Sequence, residues 1–132
     1  MKTPFPRPLF LLSLLLLVPL AFSGCVAVVA AGGAAAGTVA YVRGELQIVL
    51  DDPVKNVNDA VEQTAEALEL YTISRERDLL AGKFVYRNAQ DEKITIKTEA
   101  QTRQMTKLGI RVGVFGDQQQ SQLILDEIRR RL

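Results

Sequence analysis

The chain has no histidine, no tryptophan and a single cysteine among 132 residues. Zinc is held by Cys and His ligands, so a zinc site is excluded in practice. The common Ser-His and Cys-His nucleophile pairs fall with it. A lone cysteine has no disulfide partner within the chain. An excess of charge of either sign is also missing, with 16 Lys+Arg against 15 Asp+Glu. A nearly neutral domain lacks the electrostatic footprint of a nucleic-acid binder.

Long apolar runs are scarce after residue 42 but dominate before it. Lys2 and Arg7 precede the uncharged run Leu9 to Phe22, which is 14 residues long. A spanning helix needs roughly 20 residues. A positive start, a short apolar middle and small residues after it make a signal peptide. Residues 1–24 are therefore expected to be removed. Without Lys2 and Arg7 the balance becomes 14 basic to 15 acidic residues.

The small residues end at Cys25. Phe22-Ser23-Gly24-Cys25 resembles the lipobox of bacterial lipoproteins, with Phe22 where leucine is usual. The resemblance implies cleavage between Gly24 and Cys25, a diacylglyceryl group on the Cys25 thiol and acylation of the new amine. Each buried methylene adds about 0.8 kcal/mol, so two or three chains anchor a protein stably where one does not. Residue 26 is valine, not aspartate. By analogy with the enterobacterial sorting rule, that places the protein on the outer membrane, facing the periplasm.

Val26 to Val42 is uncharged and rich in alanine and glycine. Three readings compete: a flexible tether, a membrane-associated helix with Gly33 and Gly37 in close-packing spacing, or the start of a first strand. A tether over residues 25–42 is favoured, helical where it touches the membrane.

The folded domain is expected over residues 43–132. Leu46, Ile48 and Leu50 alternate with Glu45 and Gln47, as in a half-buried strand. Asp52 and Pro53 mark a helix start, as N-cap and first helical residue. Val54, Val57, Val61, Ala65 and Leu68 then make its apolar stripe, with Glu62, Glu66 and Glu69 outward and an end near Tyr71. Thr72 to Asn88 reads as one long strand with a bend or bulge at Leu79 to Gly82. Lys93 to Ala100 is a further strand. A last strand runs from Lys107 to Phe115, with Leu108, Ile110, Val112 and Val114 on one face. Asp117 caps a final helix built on Ile124, Ile128 and Leu132, broadened by Leu123 and Leu125. Arg129, Arg130 and Arg131 complement its dipole. The order β-α-β-β-β-α gives an α+β two-layer domain, an antiparallel sheet with two helices on one face.

Several stretches carry a wider likeness: Gly24-Cys25, Tyr41 to Leu46 ("YVRGEL"), Gly82 to Arg87 ("GKFVYR"), Ile110 to Asp117 ("IRVGVFGD") and Ser121 to Ile128 ("SQLILDEI"). Together they make the chain similar to a family of small bacterial envelope lipoproteins classed as a domain of unknown function. The resemblance implies an exported, lipid-anchored α+β domain and assigns no catalytic residue.

No catalytic or metal site is expected from the residues. Asp51-Asp52 is better explained by helix capping, and Asp91-Glu92 by a solvated turn. Arg111 stands between Gly109 and Gly113 on the face opposite the core, with Arg87 and Lys97 on the same sheet. These three cations are the candidate anion site, for a phosphate, a sugar acid or a peptidoglycan carboxylate. Against that stands the plainer reading that glycines in strands serve the backbone. The function expected is thus non-enzymatic: a structural or interaction module without cofactor beyond the Cys25 lipid, its partners the membrane and an envelope protein or anionic ligand. An enzyme using carboxylates alone would need two acids roughly 5 to 9.5 Å apart across a cleft.

Overall fold

The computed structural model describes residues 36–132; the expected leader, Gly24, Cys25 and most of the Ala/Gly segment lie outside them. Six strands and two helices follow one another: β1 (Ala40–Val42), β2 (Glu45–Leu50), α1 (Val54–Ala67), β3 (Tyr71–Arg77), β4 (Ala81–Arg87), β5 (Lys93–Ala100), β6 (Thr106–Val112) and α2 (Gln118–Arg129). The strands form one sheet, ordered β1-β2-β6-β5-β4-β3, with every neighbour antiparallel. α1 lies over β3, β4 and β5, and α2 over β2 and β6, each helix touching the other. This is the α+β two-layer fold the sequence implies, with two more strands than the expected order.

Alternation fixes which face is covered. Leu46, Ile48, Leu50, Phe84, Tyr86, Ile94, Ile96, Leu108, Ile110 and Val112 point to the helices and are buried with Val57, Val61, Ile124, Leu125 and Ile128. One polar pair sits inside this layer: Thr98 Oγ1 donates to Asn58 Oδ1 at 2.6 Å. Gly82 makes room for it, since a Cβ there would lie 2.7 Å from each of those oxygens.

Both extra strands come from hairpins. Val42 to Glu45 is a two-residue turn with positive φ at Arg43 and Gly44, the combination a right-twisting hairpin prefers. The last three residues of the expected tether are thus strand β1. The expected long strand from Thr72 to Asn88 is two strands folded back on each other. Its turn contains neither Gly nor Pro; Asp78 Oδ1 instead accepts the N–H groups of Leu80 and Ala81 at 2.8 and 2.7 Å. The irregularity in β3 falls between Thr72 and Ser74.

Helix ends differ from expectation at α1. Pro53 is the N-cap, with extended φ and ψ, and no side chain caps the helix. Asp52 contributes its carbonyl oxygen to the Thr106 hydroxyl at 2.8 Å. Its place is set by the sheet, not by the helix. The helix also stops earlier than expected, at Ala67. Glu69 takes a positive φ, and the N–H groups of Glu69 and Leu70 close on the carbonyls of Glu66 and Ala65. Leu68 is left exposed. Asp117 caps α2 as expected, accepting the Gln120 N–H at 2.9 Å.

α1 is tied to the outer strand by charge. Arg77 bonds both Asp59 and Glu62, and Arg75 bonds Glu62, all at 2.7–2.8 Å. Hydrogen bonds from Lys55 and then Arg77 hold the Asp59 carboxyl below its ordinary value. These charges, with the bulge, also guard β3, which is an open sheet edge.

Candidate functional site

Strand β6 ends at Val112 because Gly113 takes a left-handed φ of +72°. The next three residues make a tight turn into α2. Gly113 N–H donates to Lys93 O at 2.8 Å and Asp117 N–H to Val112 O at 2.9 Å, so the turn is pinned on both sides. Gly116, at φ +86°, backs onto the β1–β2 turn; a Cβ on it would lie 2.1 Å from Gly44 O and 2.5 Å from the Tyr41 hydroxyl. A Cβ on Gly44 would be 2.3 Å from Phe115 O. Only glycine permits backbones this close.

The outcome is a rigid display. Val114 is 82% exposed and Phe115 is 93% exposed. Val114, expected in the core, is a correction: the alternation through Leu108, Ile110 and Val112 is broken by the reversal at Gly113. Large apolar side chains on a pinned turn cannot retreat into the core, so their exposure is a property of the fold.

Beside this turn lies an open concavity of about 690 Å³, lined by Arg87, Asp91, Glu92, Lys93, Thr95, Arg111, Gly113, Val114 and Phe115. Arg111 and Arg87, two of the three expected cations, therefore line one concavity. Cross-strand pairing sets Arg111 beside Thr95 and Arg87 beside Lys93. Lys97 is elsewhere, in a separate hollow, 3.4 Å from Glu45. The space over Gly109 is taken by Glu45, whose Oε1 would be 2.7 Å from a Cβ there. So the two glycines around Arg111 have different jobs: Gly109 admits a side chain and Gly113 turns the chain.

The cations also serve the fold. Arg111 Nη2 donates to Arg43 O at 2.7 Å, clamping the β1–β2 turn. Arg87 Nη1 bonds the Asp91 carboxylate at 2.8 Å and its carbonyl at 2.9 Å. Lys93, which the sequence reading passed over, lines the concavity and is exposed. On the far side of the β4–β5 turn, Gln120 Nε2 donates to Glu92 Oε2 at 3.2 Å, joining that turn to the start of α2. Sequence could have flagged Val114 and Phe115 through the glycines that bracket them.

Among the described residues no group of three Cys, Asp or Glu side chains is arranged to hold a metal ion. No helix among them is long and apolar enough to cross a membrane.

A family profile, that of a protein of unknown function, matches residues 8–131. The chain belongs to DUF3568. The DUF3568 match runs from Pro8, just before the apolar run, through Cys25 and past the end of α2 to Arg131, so both the apolar run and the Gly113–Gly116 turn fall inside it. No curated protein matches the chain.

Proposed function

We propose that this DUF3568 protein is exported, cut between Gly24 and Cys25, lipidated on Cys25 and held on the inner leaflet of the outer membrane, facing the periplasm. There it acts as a non-enzymatic structural or interaction module. The anchor reading is supported by the Leu9–Phe22 run ending in Ser23-Gly24-Cys25, and by a family match that includes both. The outer-membrane assignment follows from Val26. The module reading is carried by one observation: the pinned, exposed Val114–Phe115 pair beside a polar concavity. Aromatic anchors next to cations are the chemistry of contact surfaces.

Cells fed a clickable palmitate analogue test the anchor. Label on the wild type and none on Cys25→Ala, with the wild type in the outer-membrane fraction, is the expected result. Equal labelling of both, or of neither, contradicts it.

A second reading is favoured by the sharing of one concavity among Arg87, Lys93 and Arg111: binding of an anionic envelope ligand. Its test is a titration with inorganic phosphate and with a muramyl peptide, followed by NMR. Lys93→Ala should weaken binding several-fold without altering the melting temperature. Arg111→Ala is the poorer probe, because it also frees the Arg43 carbonyl.

A further inference from the structure

The domain has a second pair of exposed apolar residues, at the other end of the sheet. Leu79 is 91% exposed and Leu80 is 67% exposed, in the β3–β4 turn. This turn is also fixed: Asp78 N–H donates to Ala81 O at 2.9 Å, and Ala100 N–H to Leu80 O at 2.7 Å.

Register shows what lies at this end. Ala100 pairs with Thr106, and Thr106 with Leu50. The chain joins the sheet in the next row, where Gly37 N–H donates to Val49 O at 2.8 Å. Val39, beside it, is also exposed. From there β1 runs toward the Arg43–Gly44 turn, which packs on Phe115 and Gly116. So the N-terminal segment reaches the domain at the Leu79–Leu80 end, and Phe115 lies at the far end. The lateral distance from β2 to β4, three strand spacings, is about 14 Å.

We infer that the Leu79–Leu80 turn is a second membrane contact, seated in the leaflet that holds the Cys25 lipid. This rests on the lipidation proposed above. Eleven residue steps separate Cys25 from Ala36, at most about 40 Å of extended chain. That length lets the near end of the domain settle on the bilayer, whereas the far end would need the segment to double back along the strands, about 20 Å more. Two leucines alone hold a free protein only weakly on lipid. Attached through a lipid, their contact becomes intramolecular, and a weak contact is then populated. Charges around the turn are mixed, with Glu76, Asp78 and Glu99 near Arg77, Lys83 and Lys107. The contact is therefore apolar and indifferent to lipid charge. It leaves Val114 and Phe115 pointing into the periplasm.

Absence of tryptophan makes the test direct. The mature, lipid-carrying protein is reconstituted as Leu79→Trp and, separately, as Phe115→Trp in vesicles of phosphatidylcholine, with and without phosphatidylglycerol. The indole at position 79 should emit at shorter wavelength, be quenched by acyl-brominated lipid and be several-fold less accessible to acrylamide than the indole at 115, in both lipid mixtures. Leu80→Trp reads the same contact should the first variant disturb the turn. Equal acrylamide quenching at both ends, or lipid quenching at 115 alone, overturns the inference. Flotation separates the causes. Protein that rises with the vesicles while both indoles stay in water leaves the anchor standing and removes only the second contact. Protein that fails to rise removes the Cys25 reading, and this inference with it.

Discussion

The two ends of the domain present the same thing by different means. At one end Val114 and Phe115 stand out from a turn whose shape depends on glycine, with Gly113 and Gly116 at positive φ and Gly116 pressed against Gly44. At the other end Leu79 and Leu80 stand out from a turn without glycine, held by the Asp78 carboxylate and two backbone bonds. The first is a backbone solution: it couples β1, β2, β5, β6 and α2, and it leaves no room for a side chain at Gly44 or Gly116. The second is largely a side-chain solution, confined to one hairpin and a single backbone bond from the end of β5, and mutable. A turn coupled to five elements suits a surface that must keep one shape for a partner. A local turn suits a contact with fluid lipid, which demands apolar area and no fixed shape.

Substitution should expose that contrast. Gly116→Ala strikes the coupled end, combining a strained φ with a backbone collision. It should cost about 3 kcal/mol, a fall in melting temperature on the order of 15 °C by calorimetry. Gly113→Ala has the same kind of φ but meets nothing within 4 Å, so it should cost only about 1 kcal/mol. Equal losses from the two would mean that the close packing on Gly44 is not what holds the turn.

At the other end Asp78→Ala removes the acceptor of two N–H groups. About 1 kcal/mol should be lost, with faster amide hydrogen exchange confined to Leu80 and Ala81. Exchange rising at the Gly113–Gly116 turn as well would show that the ends are coupled after all. The display residues themselves should matter little to folding. A Phe115→Ser, Leu79→Ser double variant should stay within about 0.5 kcal/mol of wild type in urea unfolding.

The smallest effect expected is one of pH. The folded state lowers the Asp59 pKa. The stability from its bonds to Lys55 and Arg77 is thus fully present above the ordinary carboxylate value and is lost as pH falls through the lowered one. Below roughly pH 4, β3 amides should exchange faster, loosening the hairpin that carries Leu79 and Leu80. Partial exposure of the ion pairs keeps the effect modest. An Asp59→Asn variant should remove most of this pH dependence.

Period-two alternation made the central strands readable: Leu46-Ile48-Leu50, Ile94-Ile96 and Leu108-Ile110-Val112 all point where the pattern says. It failed where a single φ reverses the chain. Nothing in the spacing of Val112 and Val114 reveals that Gly113 has turned between them. Hairpins were missed for a related reason. Arg43 adopts a positive φ that its residue type disfavours, and the Asp78 turn has no Gly or Pro to mark it. Of the candidate anion site, Arg87 and Arg111 were legible through shared strand faces. Lys97 was not separable from them, because its partner Glu45 lies 52 residues away in sequence. The clamp from Arg111 to the Arg43 carbonyl spans 68 residues and has no local signature.

The opposed roles proposed for the two ends rest on the proposed lipid at Cys25. Intact mass spectrometry of the mature protein, with fragmentation at its N-terminus, tests this most directly. The account predicts a first residue of Cys25 carrying a diacylglyceryl thioether and an acylated amine. A mature chain beginning elsewhere, or beginning at Cys25 with a free thiol, would contradict it.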